Sequence, residues 1–353
     1  MSADGRQEIR ASIIITTLNQ ANGLRRTLET INRMDQCDGE VYEVIVVDNN
    51  SSDTTGEIVS QFRRAWGDAC LRYVRERNPG QAYARNAGIR EARGRIVAFT
   101  DDDVSVDKSW LEEILRGFKN SAVDCVGGKI LPSWEATPPS WLADNWQLES
   151  YRAVLALLDL GNLPRELLLE EARIGLFPWG ANVAFRRSVF ERFGLFNTRL
   201  GHVGKMPVGG EECDLVLRIR EGGGIVLYWP AAVVHHRIPR ARMKRSYFRR
   251  RYFADGIRRG MLAGDDERSH PLGIPVWSLR RAAREAGRWM ERGARGDRKS
   301  AFMHQLMACH WLGRAWLARQ KPKPRADHGK SDETLSVACT GPVEPGRKSE
   351  SVL

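Results

Sequence analysis

The stretch Ile96-Val97-Ala98-Phe99-Thr100-Asp101-Asp102-Asp103-Val104 decides the fold. It begins as an apolar run rich in β-forming side chains, which predicts a buried strand. Three consecutive carboxylates follow, and they repel one another unless a bound divalent cation takes up the negative charge. A solvated acidic turn, or the cap of a helix predicted over residues 109–118, explains the same residues without a ligand. The run alone leaves both interpretations open.

The order of elements around this stretch predicts an α/β fold. Strands are predicted over residues 11–19, 42–48 and 71–74, each followed by a helical pattern, before the strand at Ile96. This alternation is typical of a mostly parallel sheet with helices on both faces, and ligands of such sheets bind outside the carboxyl ends of the strands. The polar strand ends at Thr16, Asp48 and Asp101 are therefore expected to converge on one crevice.

The composition is that of a globular protein. The chain has 353 residues, of which 42% are hydrophobic and 28% charged, enough for one large core or two modest domains. No apolar stretch is long enough for a membrane span and residues 1–10 lack the apolar core of a signal peptide, so the protein is expected in the cytoplasm. The six cysteines form no CxxC pair and are expected to be reduced thiols.

The positive charge is concentrated in the C-terminal third. Residues 237–325 contain 24 Lys and Arg against 7 Asp and Glu, within a chain of net charge +11. Aromatic residues alternate with arginines at helical spacing, which predicts a basic helical region over 241–320. These helices either lie on an anionic leaflet or pack on the rest of the protein. Residues 1–10 are expected to be a tail, and 321–353 a disordered one.

Neither of the common glycine-rich nucleotide motifs is present. No GxGxxG follows the first strand and no GxxxxGK[ST] occurs in the chain. A nucleotide would therefore have to be held by side chains, and the converging aspartates suit a ribose or base together with a metal-bridged diphosphate.

Four motifs in register resemble the family 2 glycosyltransferases of the GT-A fold. They lie at residues 12–19, 46–53, 80–88 and 99–103, and the resemblance extends over about residues 10–240. It implies a Rossmann-like GT-A catalytic domain over 11–240, with a nucleotide-sugar half (11–130) and an acceptor half (131–240). It also implies inverting transfer of a sugar from a nucleoside diphosphate sugar to a hydroxyl of a glycan or lipid-linked acceptor, assisted by Mn²⁺ or Mg²⁺.

The resemblance assigns donor-binding roles to four residues outside the acidic run. Thr16 and Leu18 correspond to positions that contact the base and ribose, although the family often has an aromatic residue where this chain has Leu18. Asp48 corresponds to a carboxylate that meets the base, and Arg85 to a basic residue near the donor. A strand-end hydroxyl, a turn-forming Asp and a solvated helix charge are the local alternatives for Thr16, Asp48 and Arg85.

The acidic run matches the DxD motif of the family. The resemblance places Asp101 and Asp102 at the nucleotide sugar and Asp103 at the metal, although which of the last two holds the metal stays open. It also places a histidine near the metal and diphosphate, and His235 fits that position better than His236. An imidazole ligand favours Mn²⁺ over Mg²⁺, whereas a single buried histidine is more often structural.

The acceptor half contributes an acidic pair and a Trp-Gly-Ala-Asn segment. Glu212 is predicted as the base that deprotonates the acceptor hydroxyl, with Glu211 as the fallback, although the family usually has Asp where Glu212 stands. Carboxylates that only stabilise a helix N-terminus are the alternative. Trp179 and Asn182 are predicted on the acceptor side. The alternatives are that Trp179 is a core residue and that Asn182 stabilises a turn.

Two other functional classes remain open from the residues. A nucleotidyltransferase would use a similar sheet but has no evident need for the Gly-Gly-Glu-Glu segment. A membrane or nucleic-acid binding protein would depend on the basic third, with nucleic acid the less favoured partner. Contact with the inner face of an anionic membrane would suit a lipid-linked acceptor.

Overall fold

The computed structural model describes residues 9–34, 41–67, 70–200, 209–262 and 276–319. The strands in these ranges are β1 Ile9–Thr17, β2 Val41–Asp48, β3 Leu71–Arg75, β4 Ile96–Asp101, β5 Val104–Val106, β6 Val123–Trp134, β7 Arg165–Glu166, β8 Val183–Arg186 and β9 Ile225–Ile238. The helices are α1 Ala21–Ile31, α2 Thr55–Trp66, α3 Gln81–Glu91, α4 Trp110–Gly117, α5 Ser140–Ala143, α6 Glu149–Val154, α7 Leu169–Ile174, α8 Ser188–Phe193, α9 Glu211–Glu221, α10 Arg245–Leu262, α11 Val276–Ala294 and α12 Arg298–Arg319.

All nine strands of the described ranges form one sheet. Its order is β3-β2-β1-β4-β8-β6-β9-β5, with β7 paired to β9. The first four strands pair in parallel, whereas β8 pairs antiparallel with both β4 and β6. Since β6 and β9 are parallel to each other, six of these strands run in one direction. The predicted mostly parallel sheet with flanking helices is confirmed.

The strand register brings the predicted polar ends to the same edge of the sheet. Thr16 of β1 is opposite Asp101 of β4, and Thr17 is opposite Asp48 of β2. Parallel neighbours end at the same edge, so residues separated by more than 80 positions in the sequence become adjacent.

The centre of the sheet is buried between helices. Residues 13–15 of β1 and 44–47 of β2 have no exposed surface, which explains their continuous β-branched sequence. On α3, a Cβ at Gly88 would be 2.6 Å from Ile14 Cγ2, so a glycine at this position lets the helix approach the sheet closely. Each fully buried aliphatic side chain contributes about 1.5–3 kcal/mol, which makes this layer the main stabilising element.

The basic C-terminal third forms helices that join the core. Phe248 of α10 and Phe302 of α12 are buried, and their rings pack against Trp141 at centroid distances of 5.1 and 5.3 Å. Residues up to Arg319 belong to one compact unit. Helices α10 and α12 therefore pack on the rest of the protein, which is one of the two arrangements that the sequence left open for the basic helices. The described helices include none that is long and apolar enough to cross a membrane.

The chain ends differ slightly from the prediction. Ile9 and Arg10, predicted as part of the N-terminal tail, are the first residues of β1. Residues 1–8 and the predicted tail 321–353 lie outside the described residues. Within the described ranges, the cysteines at 70, 125, 213 and 309 carry free thiols.

Candidate active site

The acidic run crosses the end of the sheet as a tight turn between β4 and β5. Helix α1 holds this turn from one side, because a Cβ at Gly23 would be only 2.6 Å from the Asp102 carbonyl oxygen. Thr27 Oγ1 donates to the Val104 carbonyl at 2.7 Å. On the other side, the Arg237 N–H of β9 donates to the Asp103 carbonyl at 3.0 Å. The aspartates are therefore fixed by backbone contacts from two elements.

A cavity of about 1110 Å³ opens over this edge of the sheet. Eight of the twelve predicted site residues line it: Thr16, Leu18, Arg85, Asp101, Asp102, Asp103, Trp179 and Glu212. The other four, Asp48, Asn182, Glu211 and His235, do not line it. The structure thus brings most of the predicted donor and base residues into one site.

Asp48 stabilises the loop behind the cavity. Its carboxylate accepts hydrogen bonds from the Ser51 N–H at 2.8 Å and from the Tyr73 hydroxyl at 2.5 Å. Burial of the ring and the hydrogen bond to Asp48 raise the pKa of Tyr73 well above its usual value. The next residue, Asn49, lines the cavity. In this structure Asp48 therefore contributes to the site through its loop.

The prediction that Asn182 faces the acceptor is wrong for this structure. The side chain is fully buried, and its amide nitrogen donates to the Lys129 and Ala232 carbonyls at 3.0 and 2.9 Å. Its carbonyl oxygen accepts from Trp110 Nε1 at 2.9 Å. These bonds join the turn that precedes β8 to β6, β9 and α4, so Asn182 connects the sheet to a helix. Its neighbour Trp179 is half-buried and does line the cavity.

Arg85 is a buried cation that joins the donor side to the predicted base. Its Nη1 is 2.5 Å from Glu211 Oε1 and 2.7 Å from Glu212 Oε1, and its Nη2 is 3.6 Å from Asp101 Oδ1. Burial opposes its positive charge, but the three carboxylates outweigh burial and raise the pKa of Arg85. The buried position of Arg85 is compatible with the predicted basic residue near the donor. It excludes the alternative, in which Arg85 is a solvated charge on a helix.

Three carboxylates face this single guanidinium, so one of them tends to keep a proton. Burial and the nearby charge of Glu212 raise the pKa of Glu211 to about 8, against the opposing effect of Arg85. The Oε2 atom of Glu211 is buried and makes no hydrogen bond, so a full negative charge there would be poorly stabilised. Glu211 is therefore suited to hold Arg85 and Glu212 in position.

Of the Glu211–Glu212 pair, Glu212 is the residue that lines the cavity. Its Oε1 accepts the Gly180 N–H at 3.1 Å in addition to its contact with Arg85. A Cβ at Gly180 would be 2.6 Å from Glu212 Oε1 and 1.8 Å from Arg85 Nη2, so only glycine fits between them. The first turn of α9 thus fixes this carboxylate at the cavity wall.

The prediction of His235 beside the metal is wrong by one residue. His236 Nε2 is 3.3 Å from Asp103 Oδ1, whereas His235 Nε2 contacts Asp107 at 3.1 Å. Successive side chains of a strand point to opposite faces. Along β9 the buried positions are even-numbered, among them Val226, Tyr228 and Val234. The same alternation directs His236 inward, and the sequence carried this signal.

His236 is oriented for a lone pair on Nε2. Its Nδ1 is 2.9 Å from the Leu155 carbonyl, an acceptor, which assigns the ring proton to Nδ1. Nε2 is then free to accept from Arg242 Nη1 at 2.9 Å. A neutral imidazole held by a carbonyl through its other nitrogen is the usual state of a metal-binding histidine.

The pKa values of the three aspartates of the turn shift in different directions. Burial raises the pKa of Asp103, but a protonated His236 and Arg242 outweigh burial and hold that pKa well below its usual value; when His236 is neutral, Arg242 alone opposes burial. Burial raises the pKa of Asp101, and burial and Asp103 raise the pKa of Asp102 further. Arg242 Nη2 is 3.0 Å from Asp103 Oδ2. Asp103 is thus the member of the run best suited to stay ionised.

The donor set fits a divalent cation shared with a ligand. Within the described ranges, no group of three or more His, Cys, Asp or Glu side chains is arranged to hold a metal on its own. Asp103 and His236 offer one carboxylate oxygen and one imidazole nitrogen, a set suited to Mn²⁺. Oxygen atoms of a diphosphate and of water would have to complete the coordination.

The wall opposite the acidic turn is built by helices that the sequence did not assign to the site. The residues of α10 and α12 that line the cavity are Tyr247, Arg251, Tyr252, Asp255, Arg258, Arg259, Met303, Met307, His310, Trp311 and Arg314. Arg242, which precedes α10, also lines it. Their helical spacing was visible in the sequence, but no local signal indicated which face would meet a cavity formed by residues 16–212.

Residues 12–194 match the family described as Glycosyl transferase family 2. Among curated proteins, the chain is 35% identical over 119 residues to Glycosyltransferase AglE of Haloferax volcanii, a match that covers 34% of this chain and 38% of that protein. It is 25% identical to the Glucosyl-dolichyl phosphate glucuronosyltransferase of the same organism, over 65% of this chain and 70% of the relative.

The solved structure of mannosyltransferase PcManGT from Pyrobaculum calidifontis, in complex with GDP-Man and Mn²⁺, has a similar fold. The TM-score is 0.59 at 21% sequence identity, and the match covers 87% of this chain and 86% of that one. This likeness supports the predicted GT-A architecture, and the family match favours a glycosyltransferase over the nucleotidyltransferase and binding-protein alternatives. The chain is a glycosyltransferase that belongs to glycosyl transferase family 2.

Proposed function

We propose that this protein is an inverting, metal-assisted glycosyltransferase that moves a sugar from a nucleoside diphosphate sugar to a hydroxyl of a glycan or lipid-linked acceptor. One observation carries the proposal: Glu212 and the Asp103–His236 pair line the same cavity. A base and a site for the leaving diphosphate on either side of a sugar are what direct displacement requires.

Glu212 acts as the general base. Its carboxylate lines the cavity and is held by Arg85 and the Gly180 N–H, which fixes its orientation. As the acceptor oxygen forms its bond to the anomeric carbon, Glu212 takes the hydroxyl proton, and the bond to the diphosphate oxygen breaks on the opposite face. The configuration at the anomeric carbon is therefore inverted.

Asp103 and His236 hold the metal, and Arg242 lies beside both. When bound, a divalent cation stabilises the negative charge that develops on the leaving diphosphate. In this structure Arg242 donates to Asp103 Oδ2 and to His236 Nε2, so it adds a positive charge at this end of the cavity and would have to release the Nε2 lone pair for a metal to bind there. Thr16, Leu18, Asp101 and Asp102 line the rest of the donor end. Trp179 offers an aromatic face on the acceptor side.

Donor binding can be tested with a panel of nucleoside diphosphate sugars in the presence of Mn²⁺. The cognate donor is expected to raise the melting temperature of the wild type, because a ligand that binds only the folded state stabilises it. Asp103→Asn should remove the Mn²⁺-dependent part of this shift, whereas Asp107→Asn, on the His235 side, should preserve it. A donor shift that is independent of Mn²⁺ in both proteins would contradict the metal assignment.

We also propose that α11 makes peripheral contact with an anionic membrane. Arginines at positions 280, 284, 288, 292 and 295 are exposed on this helix or just beyond it. Trp289 and Met290 on the same helix are 40% and 65% exposed. Exposed apolar side chains among arginines are typical of helices that lie in a lipid headgroup layer.

Vesicle sedimentation tests this contact. The full chain should sediment with phosphatidylcholine vesicles that contain phosphatidylglycerol and much less with phosphatidylcholine alone. The double change Trp289→Ser and Met290→Ser should weaken the association. Leu163→Ser, which removes an exposed apolar side chain elsewhere, provides the matched control. Equal binding by the two variants would contradict the proposal.

A further inference from the structure

The arginine wall is the part of the cavity surface formed by Arg251, Arg258 and Arg259 of α10 and Arg314 of α12. From these two helices, among their described residues, Asp255 is the one carboxylate that lines the cavity, and α6 adds Glu149. Among the lining residues of α10 and α12, guanidinium groups therefore outnumber carboxylates, whereas the acidic turn contributes three carboxylates.

The single acidic residue of the wall is already shared by three partners. Asp255 Oδ1 pairs with Arg258, whose Nε lies at 3.1 Å, and Oδ2 lies 3.2 Å from Arg259 Nε and 3.0 Å from His310 Nδ1. Burial works against ionisation, but the hydrogen bond from His310 and the charges of Arg258 and Arg259 hold the pKa of Asp255 well below its usual value. Asp255 is thus shared by two guanidinium groups and an imidazole, so one carboxylate faces two full positive charges and the Arg258–Arg259 part of the wall suits an additional anion.

The wall is rigid because its two helices touch at their backbones. A Cβ at Gly256 would be 1.9 Å from the His310 carbonyl oxygen, and a Cβ at Gly313 would be 1.9 Å from the Phe253 carbonyl oxygen. Such contact fixes the spacing of side chains on both helices. The guanidinium groups are therefore preorganised, which lowers the entropic cost of binding an anion.

The wall adjoins the predicted base through Arg258. The aliphatic part of Arg258 lies against Gly210, two residues before Glu212, where a Cβ would be 2.9 Å from Arg258 Cδ. A group bound at Arg258 would thus lie beside the predicted base, on the acceptor side of the proposed reaction.

Apolar side chains accompany the arginines. Met303, Met307 and Trp311 of α12 line the same part of the surface, together with Tyr247 and Tyr252 of α10. Methionine and aromatic side chains adapt to flexible apolar chains. The chemistry of the wall matches a ligand that joins an anionic group to an apolar stem.

We infer that the arginine wall binds an anionic group of the acceptor, a phosphate or a carboxylate, with an apolar stem of that acceptor against Met303, Met307 and Trp311. The inference rests on the proposed function, since it takes Glu212 as the site of the reacting hydroxyl. Guanidinium groups bind such anions through paired, charge-assisted hydrogen bonds.

Calorimetric titration of the full chain, saturated with Mn²⁺ and the nucleoside diphosphate of its donor, tests the inference. The probes are decyl phosphate below its micelle concentration, decanol and inorganic phosphate. Decyl phosphate is expected to bind at least about ten-fold more tightly than either of the others, because it satisfies both parts of the wall. Decanol binding as tightly as decyl phosphate would overturn the anion site, and equally tight inorganic phosphate would overturn the apolar stem.

Two variants locate the site. Arg251→Gln and Arg258→Gln should each weaken decyl phosphate binding by about ten-fold or more, whereas Arg64→Gln, on the exposed face of α2, should bind it like the wild type. Equal loss in Arg64→Gln, or no loss in both wall variants, would overturn the assignment. Nucleotide affinity, measured on each protein first, reports folding and the donor site. If the wild type does not bind the nucleotide, the proposed function is contradicted. If it binds the nucleotide but does not bind decyl phosphate, only the anion site on the arginine wall is contradicted.

Discussion

The two walls of the cavity are fixed by different means. The acidic wall stands at the ends of parallel strands, where backbone register sets Thr16 opposite Asp101 and β9 pairing brings His236 to Asp103. The arginine wall stands on two helices that are held together by glycine contacts at positions 256 and 313. The position of the acidic wall thus follows from the order of strands in the sequence, whereas the position of the arginine wall follows from packing between distant elements.

The largest expected effect is on the acidic wall, at the base. Glu212→Gln should lower the rate of donor turnover by about 10²–10⁴-fold, because the acceptor proton then has no base, while donor affinity changes little. The assay is release of nucleoside diphosphate from the cognate donor. Glu211→Gln is the matched control. Since Glu211 does not line the cavity, that variant should retain much more activity, and the reverse order would assign the base to Glu211.

The histidine pair gives the next largest effect. His236→Ala should weaken Mn²⁺ binding in the presence of the nucleoside diphosphate by at least about ten-fold, a loss that even the neighbours of metal ligands show. Mn²⁺ affinity can be followed by electron paramagnetic resonance of the free ion. His235→Ala should leave it unchanged because that side chain pairs with Asp107. A stronger loss in His235→Ala would restore the original prediction from sequence.

The arginine wall can be broken at the contact between its helices. Gly256→Ala should destabilise the protein by about 1–3 kcal/mol, the range for overpacking, because the new Cβ meets the His310 carbonyl. Chemical denaturation measures the change. Gly287→Ala on α11, where a Cβ would meet no atom within 4 Å, should instead stabilise it by up to about 1 kcal/mol. Similar effects of the two changes would show that α10 and α12 are not in backbone contact.

The most gradual expected effect is a pH dependence from Glu211. Its pKa is about 8 in the folded protein against an ordinary value of 4.5, so the folded state holds an additional proton between these values. The free energy of unfolding should therefore fall as pH rises through this interval, and the loss is complete only above pH 8. Glu211→Gln should flatten this part of the profile in urea titrations at several pH values. Glu221→Gln, at the exposed end of α9, supplies the background, and an unchanged slope in Glu211→Gln would refute the raised pKa.

The sequence by itself determined the order of strands and helices, the acidic run at the end of β4 and the glycine-led acidic pair at the start of α9. These features are local, since strand and helix periodicity and the position of a strand end can be read from neighbouring residues. Parallel pairing then made their convergence a safe expectation. The sequence could also have identified His236, because the alternation of buried and more exposed residues along β9 extends from Tyr228 to His236.

Only the tertiary structure decided the rest. The amide of Asn182 could equally have faced an acceptor, but its three partners come from β6, β9 and α4, and their positions depend on the whole sheet. The basic helices showed their periodicity in sequence, yet the burial of Phe248 and Phe302 against Trp141 selected the face that lines the cavity. The physical reason is that packing chooses among faces of similar composition through contacts between residues far apart in the chain, and local sequence carries no record of those contacts.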